Sequence, residues 1–101
     1  MNPKYRSRIE IISSILEASV GGVKKSKVMC RSFVSNTQFK NYMNHLIEKN
    51  LLSIDSEGKL TITTKGLDFL DHYHALENML DLTIQKQYIK NDVYSNYLLS
   101  T

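Results

Sequence analysis

The sequence predicts a mainly α fold with one small β-hairpin, and three observations carry that prediction. Apolar residues recur at helical spacing in four stretches: residues 7–18, 25–32, 35–50 and 64–84. Two short alternating runs, "LLSI" at 51–54 and "KLTIT" at 59–63, flank the turn sequence "DSEG". The chain of 101 residues has one proline, no tryptophan and 42% hydrophobic residues, which suits one modest core with short loops.

The first stretch, "SRIEIISSILEA", places Ile9, Ile12, Ile15 and Leu16 on one helical face, and Gly21-Gly22 ends it because paired glycines favour turns. A short second helix fits "KSKVMCRS", with Val28 and Met29 facing inward and Phe33 and Val34 in the turn that follows. The third helix carries two start signals. Ser35 and Gln38 form the capping-box pattern S-x-x-Q, and Val34 and Phe39 are placed for a hydrophobic staple across the cap. Its apolar stripe is Phe39, Tyr42, Met43, Leu46 and Ile47, and Asn50 can stop it in a left-handed conformation.

In the hairpin, Leu52 with Ile54 and Leu60 with Ile62 alternate as half-buried strands do, and Gly58 is available for a positive φ. Thr63 or Thr64 can cap a last helix carrying Leu67, Phe69, Leu70, Tyr73, Leu76, Leu80 and Ile84. No internal repeat is present. Two helices, a turn, a capped helix and a hairpin make the order of a winged helix-turn-helix, followed here by a long C-terminal helix. The expected division is a winged domain over residues 1–66 and a dimerisation helix with a tail over 67–101.

Charge is unevenly spread along the chain. Residues 1–65 hold 11 Lys/Arg against 5 Asp/Glu, a balance of +6, and the remainder holds 2 against 5, which together give the net +3. A basic first part with an acidic tail points to a polyanionic partner for the first part.

The third helix has an unusual outer face. It carries Thr37, Asn41 and Asn44, flanked by Gln38, Lys40, His45 and Glu48, where strong helix formers would be expected. Asn and Gln pair bidentately with adenine, and Thr meets the thymine methyl, so this face suits base reading in the major groove. Codon usage in an A- and T-rich genome would also enrich Asn, and Asn78, Asn91 and Asn96 lie elsewhere. The face therefore counts together with the capped helix and the basic first part. Lys24, Lys25, Lys27 and Arg31 on the second helix suit phosphate contacts, with Arg6 and Arg8 adding from the first. The wing offers Lys59 beside two acids, a minor contribution. The candidate DNA-binding set is thus Lys24, Lys25, Lys27, Arg31, Ser35, Asn36, Thr37, Gln38, Lys40, Asn41, Asn44, His45 and Lys59.

Three segments carry a family resemblance: "KSKVM" opening the second helix, "VSNTQFKNYMNHLIEKNLL" across the third, and "ITTKGLDFL" leading into the last. Over roughly residues 6–80 the chain resembles the archaeal winged-helix DNA-binding domains, including the small, dimeric, chromatin-type 10a proteins. Cys30 stands where that family has an aromatic residue and Asn50 where it has glycine. The resemblance implies DNA binding by the winged domain and antiparallel dimerisation through the long C-terminal helix. The tail after Leu82 has no clear counterpart in it.

A last helix over 64–84 would be about 31 Å long at 1.5 Å per residue, whereas a unit of ~65 residues has a radius of gyration near ~11 Å. Its distal stripe of Tyr73, Leu76, Leu80 and Ile84, spaced close to a coiled-coil seam, is therefore the expected homodimer interface. Folding back of "DVYSNYLL" onto the stripe is the alternative.

Catalysis is not expected. His72 and His74 are two apart on a helix and point to different faces, and no phosphate loop or H-E-x-x-H motif is present. A lone Cys30 gives no intrachain disulfide and no cysteine-rich zinc site. No cofactor or metal is expected. The start of the chain lacks the apolar core of a signal peptide, and no run approaches the ~18 apolar residues that span a membrane. The expectation is a cytoplasmic, nucleoid-associated protein: a dimeric transcriptional regulator or architectural DNA-binding protein. The alternative is a winged-helix module that binds a protein through its last helix.

Overall fold

A computed structural model describes residues 6–80. The elements run α1 (Arg8–Ala18), α2 (Lys25–Ser32), α3 (Asn36–Glu48), β1 (Leu52–Ile54), β2 (Leu60–Ile62) and α4 (Thr64–Met79). Two compact units divide between Leu70 and Asp71, within α4.

Local chemistry sets most of the boundaries. Ser7 caps α1 and Ser35 caps α3, each in a reciprocal capping box with Glu10 and Gln38 respectively. Gly21 and Gly22 both have positive φ where the chain leaves α1. At the end of α3, Asn50 adopts φ 65°. There the Asn50 N–H donates to the Ile47 carbonyl (3.0 Å) and the Leu51 N–H to the Leu46 carbonyl (2.8 Å), the two bonds of a Schellman motif. The Thr63 hydroxyl accepts from the Gly66 N–H at 3.0 Å and donates to the Asn50 carbonyl at 2.6 Å, tying the start of α4 to the end of α3.

β1 and β2 pair antiparallel in the register Leu52↔Ile62, Ser53↔Thr61, Ile54↔Leu60. Asp55 shapes the turn by accepting from the backbone N–H groups of Glu57 and Lys59. Val23 extends the ladder: its N–H donates to the Leu60 carbonyl at 2.8 Å and its carbonyl accepts from the Leu60 N–H at 2.9 Å. That bridge anchors the wing to the residue before the α2 N-cap, and no pattern in the sequence announces it.

The core combines Ile11, Ile15, Leu16 and Ala18 of α1, Val28 of α2, Phe39 and Leu46 of α3, Leu52, Leu60 and Leu70. Val34, Met29, Tyr42, Met43, Ile47 and Ile62 pack around it, half-buried. The expected inner face of α1 needs one correction. Ile9 is exposed and Ile11 is the core residue, because α1 turns the side that carries Ile11 and Ile15 into the core. Ile54 is likewise exposed although its strand partner Leu60 is fully buried. The buried hydroxyls of Ser19 and Ser32 donate to the Ile15 and Val28 carbonyls one turn back, so neither is left unpaired inside.

Candidate nucleic-acid interface

The two faces of α3 separate cleanly. Phe39 and Leu46 are buried, whereas Asn36, Thr37, Gln38, Lys40, Asn41, Asn44 and His45 are all exposed, together with the N-cap Ser35. Gln38 is partly committed: its side-chain oxygen accepts a long bond (3.5 Å) from the Ser35 N–H. Thr37, Lys40, Asn41 and Asn44 lie between the cap and the last turn, where a helix entering a groove by its N-terminal half presents its side chains.

A second group forms around the start of α2. Lys24, Lys27 and Arg31, spaced three and four apart, line an open cleft of about 290 Å³ with Gly22, Val23 and Lys59. Lys59 reaches this cleft because the Val23–Leu60 bridge holds the wing beside the α2 N-terminus. Its charge is partly met by Glu57, whose carboxylate lies 3.2 Å from the ammonium. The α2 N-cap, Lys24, makes no side-chain cap bond, and the first turn of α2 has no acid, unlike that of α1. Its terminal N–H groups and the cations beside them therefore offer one electropositive surface to a phosphate. Lys25 is exposed at the same helix start but does not line the cleft.

The two arginines near the start of the chain take different roles. Arg6 is a correction to the expected phosphate set. Its guanidinium donates to the Ser32 carbonyl at 2.7 Å, the Phe33 carbonyl at 3.2 Å and the Ser14 hydroxyl at 3.4 Å. It thus closes the C-terminus of α2, where a cation is favoured by the helix dipole. The bond to Phe33 also helps hold a residue at φ 57°, with its ring 83% exposed. Arg8 instead lines a second open cleft with Ile12, Asn41, Tyr42 and His45. Lys65, not singled out by the sequence, donates to the Lys49 carbonyl at 2.9 Å and closes the end of α3 in the same manner as Arg6 closes α2.

Leu76 on α4 and Leu80 just past its end are 55% and 66% exposed, and Tyr73 is half-buried with its ring edge-on to His74. Met79, absent from the expected stripe, is 78% exposed. Ile84 lies outside the described residues. His74 Nδ1 lies 3.3 Å from the buried Glu77 carboxylate, an i, i+3 contact within α4. Among the described residues no helix is long and apolar enough to cross a membrane.

A family model described as winged helix-turn-helix matches residues 5–81. Similar solved structures include Sso10a-2, a DNA-binding protein from Sulfolobus solfataricus, at TM-score 0.65 and 19% identity over 85% of this chain and 95% of that one. MepR, a transcription regulator of the Staphylococcus aureus multidrug efflux pump MepA, matches at TM-score 0.59 and 12% identity over 96% and 78%. BpsR of Bordetella bronchiseptica, whose DNA binding is regulated by 6-hydroxynicotinic acid, matches at TM-score 0.59 and 15% identity over 99% and 76%. At these identities the structural likeness shows the fold alone. No curated protein matches the sequence.

Proposed function

The chain belongs to the winged helix-turn-helix family, and from that premise we propose that it binds duplex DNA as a homodimer, with α3 in the major groove. The observation that carries this reading is the pairing of two surfaces. An exposed amide-rich face on α3 lies in the same unit as a cleft lined by Lys24, Lys27, Arg31 and Lys59. Phosphate contacts from the cleft set position on the duplex, and the α3 side chains read base edges. Asn41 and Asn44 suit adenine, Thr37 the thymine methyl, and Lys40 a guanine edge or a phosphate. Lys25 adds backbone charge at the α2 N-terminus, and Ser35, Asn36, Gln38 and His45 complete the face.

Dimerisation falls to α4. The exposure of Leu76, Met79 and Leu80 supports pairing with a second copy along the stripe that Tyr73 begins and Ile84 would extend. The division of labour is a winged domain followed by a dimerisation helix, in a transcriptional regulator or a nucleoid-associated protein. The same apolar helix face also favours a second reading, a module that docks a different protein there.

Measuring affinity for duplex DNA against salt tests the first reading. The expected result is a steep linear fall of log K with log salt, and Lys27→Gln or Lys40→Gln should each lower the slope by about one unit, since each contacted phosphate releases about one counterion. Affinity that does not change with salt, or no binding to duplex DNA, would favour the protein-docking module.

A further inference from the structure

The cleft between α1 and α3 is built differently from the basic cleft at the wing. Its volume of about 390 Å³ falls within the range of small-molecule sites, roughly 300–1,000 Å³. Arg8 and Ile12 stand one turn apart on α1, and Asn41 and His45 one turn apart on α3, with Tyr42 beside Asn41. Ile12 and Tyr42 are half-buried and packed against the core, so they form a fixed apolar wall. Arg8, Asn41 and His45 are exposed around it. None of the side chains of Arg8, Asn41, Tyr42 and His45 makes a hydrogen bond or ion pair with a described residue, and no acid lines the cleft among the described residues.

We propose that this cleft binds a small planar aromatic carboxylate, and that the bound molecule competes with duplex DNA for Asn41 and His45. The Arg8 guanidinium matches a carboxylate in a bidentate fork. An aromatic ring covers Ile12 and the Tyr42 face, gaining apolar burial and ring contact. The Asn41 amide and the His45 ring nitrogens then meet a polar substituent on that ring. A bare phosphate would meet Arg8 equally well but would gain nothing from Ile12 and Tyr42, and this apolar wall favours an organic anion over a backbone phosphate. Because Asn41 and His45 belong to the proposed reading face, one occupant excludes the other. Competition rests on the DNA reading, whereas binding of the carboxylate does not.

Titration of the full-length chain with 2-naphthoate, followed by amide NMR, tests the site directly. Saturable shifts are expected at Arg8, Ile12, Asn41, Tyr42 and His45. Naphthalene-2-methanol, which lacks the carboxylate, should bind about tenfold more weakly or worse, and Arg8→Gln should weaken 2-naphthoate to the same degree with melting unchanged. The absence of shifts at these residues overturns the proposal. An equal response to inorganic phosphate also overturns it, by making the cleft an anion contact for the DNA backbone. In a second arm, the apparent Kd for duplex DNA should rise with 2-naphthoate in proportion to its occupancy. Naphthoate binding without that rise overturns the competition, and naphthoate binding by a chain that never binds DNA overturns the DNA reading while leaving the site standing.

Discussion

Gly66 lies in the first turn of α4, where helix propensity alone would favour alanine by about 1 kcal/mol. A Cβ there would sit 2.6 Å from Ile62 Cγ1 and closer still to the Leu51 carbonyl oxygen. That oxygen is backbone and already accepts from the Thr63 N–H, so it cannot step aside. Gly66→Ala should therefore destabilise the fold by about 1–3 kcal/mol, the usual range for overpacking, and chemical denaturation would read it. A stabilising alanine would mean that α4 shifts at little cost. Phe33 shows the opposite kind of residue-scale feature. It is a bulky side chain kept at φ 57° with its ring exposed, and Arg6 donates to its carbonyl. An arginine that sequence reasoning assigns to phosphate is drawn instead to the carbonyls of Ser32 and Phe33, because a helix C-terminus offers acceptors that water would otherwise have to satisfy.

The helices differ in how their ends are satisfied. α1 and α3 each close their N-terminus with a capping box, and α3 closes its C-terminus with a Schellman motif and the Lys65 ammonium. α3 is therefore held at both ends by its own flanking residues, so Asn and Thr in its middle, which cost roughly half a kcal/mol each relative to Ala, are tolerated on the outer face. α2 is left uncapped among lysines. If Asn41 and Asn44 read bases, changing either to alanine should cost about 1–3 kcal/mol on a preferred duplex and little on random DNA. Binding titrations on both substrates distinguish the cases. Equal losses on the two would reduce the pair to backbone positioning and make the protein architectural.

For the whole molecule, the balance of +6 in residues 1–65 against −3 in the rest supports the proposed DNA contact through the first part of the chain and the proposed pairing through α4. Each large apolar side chain buried on pairing contributes about 2 kcal/mol, so Leu76→Asp combined with Leu80→Asp should convert a dimer to a monomer. The winged core (Ile15, Leu16, Val28, Phe39 and Leu46) lies in the other compact unit, so its folding should survive the change. DNA affinity should fall sharply, because one winged domain makes half the phosphate contacts. Sedimentation checks this. A wild-type chain that is monomeric at micromolar concentration, or a double mutant that still pairs, would remove α4 as the dimer interface.

Element order, the caps at Ser35 and Thr63, the glycine turns and the stop at Asn50 were all legible in the sequence. Each depends on hydrogen bonds between residues three to five apart, which an ordered string of residue types already specifies. The outer face of α3 was legible for the same reason, since a 3.6-residue period defines both sides of a helix at once. The rotation of α1 was not. Ile9, Ile11, Ile12 and Ile15 span too wide an arc for spacing to decide, and packing into the shared core selected Ile11 over Ile9. Tertiary structure also decided the Val23–Leu60 bridge, the gathering of Lys59 with Lys24, Lys27 and Arg31, the diversion of Arg6 and the cleft that joins Arg8 to Asn41 and His45. These join residues 26 to 37 positions apart, and 28 to 35 in the wing cleft. No local hydrogen bond or helical period reaches that far, so only the packed chain could bring those side chains together.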